Sequence, residues 1–337
     1  MPKISVIMPT LNEEKFIGRA LESLLETSLS PEEMEILIVD GGSRDRTREI
    51  VKEYQKRYPF IHLLENPHKI VPIAMNIGIK KARGEYIVRV DAHSIYPPDY
   101  IAQLVKYHQQ LGADNVGGRV VTQLAEKSPT AVAIANTLND KLGVGSSFRT
   151  ISDLKIRPVD TVPFGCYKKE LLEKIGLYNP KLVRNQDIEL NKRIIRNGGK
   201  IYLIPQIEIG YFPRTTFKAF AKNNFLNGYW NILTPYYTGN LKSLSLRHFV
   251  PLGFVATLFL SLILTPFYPP VFFIFVGVGG IYLLLISFRS WQIKKGTTFF
   301  HQLWAFLTLH FSYGVGSLWG IVKVLGKMVK INKKEKK

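Results

Sequence analysis

Glu85-Tyr86-Ile87-Val88-Arg89-Val90-Asp91-Ala92-His93-Ser94 is a run of strand-forming residues that breaks off at a carboxylate and an imidazole. Tyr86, Ile87, Val88 and Val90 favour a buried strand, and ligands of open α/β sheets sit outside the carboxyl ends of the strands. Asp91 and His93 at such an end suit a divalent cation and a phosphate. Asp91 equally suits a simple cap on the turn that follows.

The residues upstream alternate between two periodicities. Ile4–Met8 reads as a strand, and Asn12 is placed to cap a helix with Glu13 and Glu14 in its first turn. Phe16, Ile17, Ala20, Leu21, Leu24 and Leu25 then recur at helical spacing. A second strand, Glu35–Val39, ends in Asp40-Gly41-Gly42-Ser43, with Ser43 placed to cap a helix that buries Ile50, Val51 and Tyr54. A short strand at Ile61–Leu64 and a helix through Ala74, Ile77, Gly78 and Ala82 lead into the opening stretch. Strands alternating with helices predict a parallel sheet covered on both faces.

The first strand–helix turn, Pro9-Thr10-Leu11-Asn12-Glu13-Glu14, has no glycine for a pyrophosphate, and its carboxylates would repel one. A GxxxxGK[ST] loop is missing as well, so phosphate handling falls to a metal at Asp91 and His93. Beyond the opening stretch, Asn115–Val121 reads as a further strand, Ala131–Ala135 as a helical turn and 139–160 as a polar loop that either closes over substrate or is plain surface. Pro163–Tyr167 leads into a helix with Leu171, Leu172 and Ile175. A second helix follows Arg184-Asn185-Gln186-Asp187-Ile188-Glu189-Leu190. Asp187 and Glu189, near its start, suit either compensation of the helix dipole or general-base work on a hydroxyl.

Among its 337 residues the chain carries 45 Lys and Arg against 26 Asp and Glu, a net charge of +19. Such a surplus suits nucleic acid or an anionic membrane. The sequence has neither zinc-finger spacing nor an RNP-like aromatic pattern, which argues against nucleic acid. Its one cysteine, Cys166, allows no intrachain disulfide. Met-Pro-Lys runs straight into a strand without a basic-then-apolar leader, so the N-terminal part is expected in the cytosol.

Four segments together resemble the inverting family 2 glycosyltransferases of GT-A fold: Ser5-Val6-Ile7-Met8-Pro9-Thr10-Leu11-Asn12, Asp40-Gly41-Gly42-Ser43-Arg44-Asp45, Ala82–Ile87 running into Asp91-Ala92-His93, and Gln186–Leu190 with Arg193. His310–Gly316 further resembles the membrane-attached, succinoglycan-type exopolysaccharide branch. The resemblance implies a Rossmann-like mixed sheet flanked by helices, with C-terminal transmembrane helices. It implies that Pro9, Thr10, Asn12, Glu13, Asp40 and Asp91 bind the nucleotide-sugar, with Asp40 on the base. It also implies that Asp91 and His93 hold Mn2+ or Mg2+, that Asp187 is the catalytic base, and that Gln186, Glu189 and Arg193 lie on the acceptor side. Two positions depart from the family pattern. Imidazole at His93 suits Mn2+ somewhat better than Mg2+, and Gln186 in place of an acid leaves less negative charge beside Asp187.

The activity implied is transfer of a sugar from a nucleotide-diphosphosugar, expected to be a UDP-sugar, to a lipid-linked saccharide with inversion. Polyprenyl phosphate is the alternative acceptor, and a non-catalytic nucleotide-binding membrane scaffold is the alternative of another class. The QxxRW element of processive members is absent around Asn223–Trp230, so one sugar per encounter is expected, with Tyr229 and Trp230 as interfacial anchors.

Phe249–Pro266 and Pro270–Phe288 carry no charge and are each about long enough to cross a hydrocarbon core of roughly 30 Å. Phe299–Val322 is apolar but holds His301, Gln302, His310, Ser312 and Tyr313. Lysines and arginines flank the first two stretches and crowd the C-terminus, and two spans keep all of them in the cytosol. The third stretch is therefore expected to be an interfacial or re-entrant helix, with a third span as the alternative. Its polar residues would either position the acceptor or pack helices. The expected organisation is a cytosolic catalytic domain over 1–215, an interfacial connector over 216–248, a membrane region over 249–325 and a basic tail over 326–337, with membrane lipids as partners at the plasma membrane.

Overall fold

The computed structural model describes residues 2–124, 126–144 and 153–335. Gly145, Ser146, Ser147 and Arg149 of the expected polar loop, and Lys336 and Lys337 of the basic tail, lie outside the described residues. The chain divides into two compact units, Met1–Val121 with Ile151–Phe212, and Thr122–Thr150 with Pro213–Lys337.

The first unit is built on a mixed sheet. β1 (Ile4–Thr10), β2 (Met34–Asp40), β3 (Ile61–Glu65) and β4 (Tyr86–Arg89) are parallel, joined by α1 (Ile17–Leu25), α2 (Thr47–Arg57) and α3 (Val71–Lys81). Every residue of β2 and of β4 is buried, as a strand covered on both faces requires. A two-residue β5 (Ser94–Ile95) and α4 (Tyr100–Leu111) precede β6 (Asn115–Thr122). After the excursion into the second unit come β7 (Arg157–Pro158), β8 (Cys166–Lys168), α7 (Lys169–Ile175), α8 (Gln186–Arg196) and β9 (Ile201–Tyr211).

The strand order is β3-β2-β1-β4-β8-β6-β9-β5, with β7 on β9. The parallel expectation holds only as far as β4, because β8 pairs antiparallel with both β4 and β6, and β5 and β7 pair antiparallel with β9. This is a mixed sheet, as the resemblance implies. Chain order runs outward from β1 to β3 and then returns to place β4 on the other side of β1. The crevice at the carboxyl ends of β1 and β4 is therefore the topological switch point, where such sheets bind ligands.

Gly84 lets β4 enter beside β1, since a Cβ there would lie 2.6 Å from the Ile4 carbonyl carbon and the Ser5 nitrogen. The same corner buries Glu35, whose carboxylate accepts from Ser5 Oγ at 2.6 Å, Arg83 N at 2.7 Å and Arg83 Nε at 2.9 Å. Burial opposes its charge, but these hydrogen bonds outweigh it and hold the Glu35 carboxyl below its ordinary pKa.

Two expected caps are corrected. α1 begins at Ile17, so Asn12, Glu13 and Glu14 precede it, and α2 begins at Thr47, beyond Ser43. Their polar groups bond across the two strand ends instead. Asn12 N donates to Ser43 Oγ at 2.8 Å, Arg44 N to Asn12 Oδ1 at 2.8 Å, and Glu13 N to Thr47 Oγ1 at 2.7 Å. The elements that the periodicity reading left unassigned include α4 and the eleven-residue β9, besides the short strands β5, β7 and β8.

The second unit is helical: α5 (Pro129–Leu138), α6 (Lys141–Val144), α9 (Phe217–Thr238), α10 (Val250–Leu264), α11 (Phe272–Ile293) and α12 (Phe299–Glu335). The stretch expected as a connector is thus largely the 22-residue α9. Leu246–Leu264, Pro269–Ile293 and Phe299–Val329 are long and apolar enough to cross a membrane, by length and composition. Phe273, Leu284, Leu285 and Phe288 of α11 stand exposed, as on a helix solvated by lipid. α12 is one unbroken helix of 37 residues, about 55 Å at 1.5 Å per residue, with no break where a re-entrant segment would turn back.

α9 and α12 lie side by side. A Cβ on Gly228 would strike the Tyr313 carbonyl, and one on Gly316 the Phe225 carbonyl, so only glycine permits this approach. Ser317 Oγ donates to Gly228 O at 3.1 Å, and Tyr313 bonds Asn231. Gln302 Nε2 reaches Thr137 Oγ1 at 2.8 Å, and the His310 ring bridges Tyr282 Oη at 3.0 Å and Leu142 O at 2.9 Å. Of the two roles expected for the polar residues of the third stretch, these contacts serve helix packing.

Candidate active site

A cleft of about 180 Å³ opens at the switch point. Pro9, Thr10, Leu11 and Glu13 from the end of β1, Arg89, Asp91 and His93 from the end of β4, and the loop from Asn66 into α3 line it. Five of the expected site residues, Pro9, Thr10, Glu13, Asp91 and His93, therefore meet in one place.

The turn carrying Asp91 is pinned from below by Tyr96. Its hydroxyl accepts from Asp91 N at 2.6 Å and donates to Asp91 O at 3.0 Å. The ring is buried against Tyr100, centroids 4.6 Å apart, and against Phe164 at 6.2 Å. Burial first, and the Asp91 charge second, raise the Tyr96 pKa well above its ordinary value, so the hydroxyl stays neutral and can do both jobs. Ser94 and Ile95 then pair with Tyr211 and Gly210, which fixes the exit of the turn. His93 sits between Glu13, whose Oε1 is 3.3 Å from its Nδ1, and the Tyr211 ring, centroids 5.6 Å apart.

Asp187 is the second residue of α8, whose N-cap is Asn185 in the left-handed region at φ 61°. It is joined to the β4 end by Arg89: Nη1 bonds Asp187 Oδ1, and Nη2 is 3.2 Å from Asp91 Oδ1. Arg89 was not singled out from the sequence. The one available signal was a charged residue inside an otherwise apolar buried strand, which a fold keeps only when the charge is paired. Burial works against its charge, but Asp91 and the neighbouring Tyr178 and Tyr167 raise its pKa above the ordinary arginine value.

The remaining expected residues lie apart from the cleft lining. Asp40, fully buried, accepts from Gly42 N at 2.9 Å and Ser43 N at 3.0 Å through Oδ2, and from Ser43 Oγ at 2.5 Å through Oδ1. Asn12 joins the same interlocked loops. Glu189 holds Arg193 at 2.9 and 3.2 Å, and Arg193 in turn donates to the carbonyls of Ile175, Gly176 and Leu177. That clamp fastens α8 to the end of α7. Gln186 is buried beside Asp187 in the first turn of α8.

The glycosyl transferase family 2 model matches residues 5–176. The chain belongs to that family. It is similar, at 30% identity over 68% of its length and 76% of the relative's, to the dolichyl N-acetyl-alpha-D-glucosaminyl phosphate 3-beta-D-2,3-diacetamido-2,3-dideoxy-beta-D-glucuronosyltransferase of Methanococcus voltae. The succinoglycan biosynthesis protein ExoA of Rhizobium meliloti is 32% identical over 62% of this chain and 63% of its own length. Among solved structures, the mannosyltransferase of Pyrobaculum calidifontis in complex with GDP-Man and Mn2+ superposes with a TM-score of 0.62 at 18% identity, covering 94% of this chain and 87% of that one. The family 2 glycosyltransferase described here therefore carries a GT-A fold followed by three candidate membrane helices.

Proposed function

We propose that the protein transfers one sugar from a nucleotide-diphosphosugar, expected to be a UDP-sugar, to a lipid-linked saccharide, inverting the anomeric centre. The observation that carries the reading is Asp187 at the start of α8, tied through one arginine to the donor-side carboxylate Asp91. A single displacement needs one base and no enzyme nucleophile, and in this reading Asp187 takes the acceptor hydroxyl proton as the bond to the sugar forms. Dolichyl-phosphate chemistry in the names of the Methanococcus voltae relative and of the Trichomonas vaginalis dolichyl-phosphate beta-glucosyltransferase, 33% identical over 37% of this chain, supports a lipid-borne acceptor.

The donor set at the cleft fits a divalent cation. Asp91 offers a carboxylate and His93 an imidazole, and Glu13 on His93 Nδ1 is the arrangement that orients a ligating ring through its other nitrogen. Among the described residues no group of three His, Cys, Asp or Glu side chains is arranged to hold a metal ion by itself. Asp91 and His93 would thus share the ion with the diphosphate, as cations held by few side chains and substrate phosphates are. When bound, Mn2+ or Mg2+ supplies Lewis-acid neutralisation of the leaving diphosphate. Asp40 shapes the loop beneath the base, with Asn12 fixing its position, and Pro9 and Thr10 form the nucleotide side of the cleft.

The α10–α11 hairpin spans the membrane, with Arg247, Lys294 and Lys295 at its ends, and Lys218 and Lys222 of the preceding α9, on the cytoplasmic side of the plasma membrane. α9 is no span candidate, and the C-terminal half of α12 packs along it in the same direction, Gly316 at Phe225, Gly320 at Ile232 and Lys327 at Tyr237. This supports an interfacial α12 end on the cytoplasmic face. Cys166 is buried, so Lys327→Cys offers a clean label. An impermeant maleimide should modify it from the cytoplasmic side, and modification from outside would make α12 a third span.

The activity is tested with a donor panel. The nucleotide-sugar that raises the melting temperature of the solubilised protein in Mn2+ should also be consumed with an inverted product, read by NMR. Retention of anomeric configuration would defeat the single-displacement reading.

A further inference from the structure

We propose that Arg89 is the positioning residue of the base. It holds the Asp187 carboxylate at the acceptor side of the cleft while its second nitrogen is anchored on Asp91, so that donor side and base are set by one guanidinium. The proposal rests on the reading of Asp187 as the base.

The placement begins in the backbone. Arg89 closes β4 in the middle of the sheet, where its N–H donates to Gly165 O at 3.0 Å and the next residue, Val90, donates to Ile7 O at 3.0 Å. With both neighbouring strands paired, the Cα cannot drift. The side chain, 6% exposed, then has only the space between the cleft floor and α8. Its fork spends Nη1 on Asp187 and Nη2 on Asp91, and Nε is buried with no hydrogen-bond partner among the described residues. A buried guanidinium is costly and leaves a donor unmet here, so its pairing with two carboxylates, one two residues away and one 98 residues away in sequence, is what keeps it.

The α8 backbone does not need this contact. Arg193 and Glu189 fasten that helix to the carbonyls of Ile175, Gly176 and Leu177 at the end of α7. What Arg89 adds is the direction of one side chain. Asp187 is 31% exposed, and without the guanidinium its rotamers would be set by solvent and by like-charge repulsion from Asp91. Lysine cannot reproduce the planar two-pronged geometry.

The test is a double-mutant cycle in the full detergent-solubilised chain, with UDP and Mn2+ as the binding probe. Arg89→Lys, which keeps the charge and guards against misfolding, should lower kcat about 100-fold, the scale of a misplaced catalytic group. Its donor KM and the UDP-induced rise in melting temperature should stay within about twofold of the parent, the signature of an interaction spent on the reacting state alone. In an Asp187→Asn background the same substitution should cost nothing further, because a residue acting through Asp187 has nothing left to position. If the two losses multiply, or if Arg89→Lys weakens UDP binding in step with kcat, Arg89 does not work through the base and the proposal falls. If Asp187→Asn alone retains parental turnover, the base assignment itself is wrong, and that outcome is separate from the first.

Discussion

The interlocked loops that close β1 and β2 and the end of β4 lie at the same carboxyl edge of the sheet, yet they spend their polar groups in opposite ways. Asn12, Ser43, Asp45, Thr47 and Asp40 bond chiefly to one another and to each other's backbone. At β4, Arg89 reaches out of its own strand to a distant helix, Asp91 shares its charge, and His93 stands between Glu13 and Tyr211. Polar groups satisfied among themselves make a rigid wall, whereas those pointed into a cleft with bonding capacity in hand are where chemistry happens. The motif residues of the two regions are alike in type, so their connectivity is what separates scaffold from machinery.

Substitutions should separate the two regions. The largest effect is expected at the β4–α8 junction: Asp187→Asn should lower kcat about 1,000-fold, within the range of a lost general base, with nucleotide binding kept, while the weakened pair with buried Arg89 lowers the melting temperature. His93→Asp should leave activity within about tenfold while shifting preference from Mn2+ toward Mg2+, read by titrating each ion against turnover. On the scaffold side, Asp40→Asn should cost about 2 kcal/mol of stability by weakening three hydrogen bonds inside the loop, read as a fall in melting temperature with kcat largely kept. A loss of kcat at constant melting temperature would put Asp40 in the machinery and erase the contrast. Thr47→Ala, which removes the hydroxyl that receives Glu13 N, should cost about 1 kcal/mol.

Glu35, at the start of β2 and at the opposite end of the strands from the cleft, gives a pH signature for the scaffold of the sheet. Its pKa is lowered in the folded protein, so its contribution to stability is present above the unfolded value near 4.5 and is lost as pH falls through the folded value. Glu35→Gln should destabilise the protein at neutral pH and flatten the drop in melting temperature below about pH 4.5. A variant whose acid limb matches the parent would show that other carboxylates govern it.

Much of this was legible in the sequence because burial on both faces writes itself as continuous apolar runs, as in Met34–Asp40 and Tyr86–Val88. Asp91 and His93 could be found because the run ends at them. Capping was misread at Asn12 and Ser43, since the side-chain oxygens that cap a helix serve as well to latch a loop 31 residues away, and only tertiary proximity chooses between the two. α4 was passed over although Ile101, Leu104, Val105 and His108 are buried at helical spacing, and Gly112 closes the helix in the left-handed region. The Arg89–Asp187 pair had no local signature at all, because its partners are 98 residues apart and meet only when β4 and α8 are both in place. The close crossing of α9 and α12 was hidden likewise, its glycines reading as tolerance in a helix until the opposing carbonyls stand against them.

The claim on which the account rests is that the carboxylate at the start of α8, and not one in the interlocked loops, takes the acceptor proton. The most direct measurement is single-turnover transfer by Asp187→Asn in Mn2+, with nucleotide binding followed in the same preparation. The expected result is transfer slowed about 1,000-fold with nucleotide binding intact. Transfer at the parental rate would contradict it.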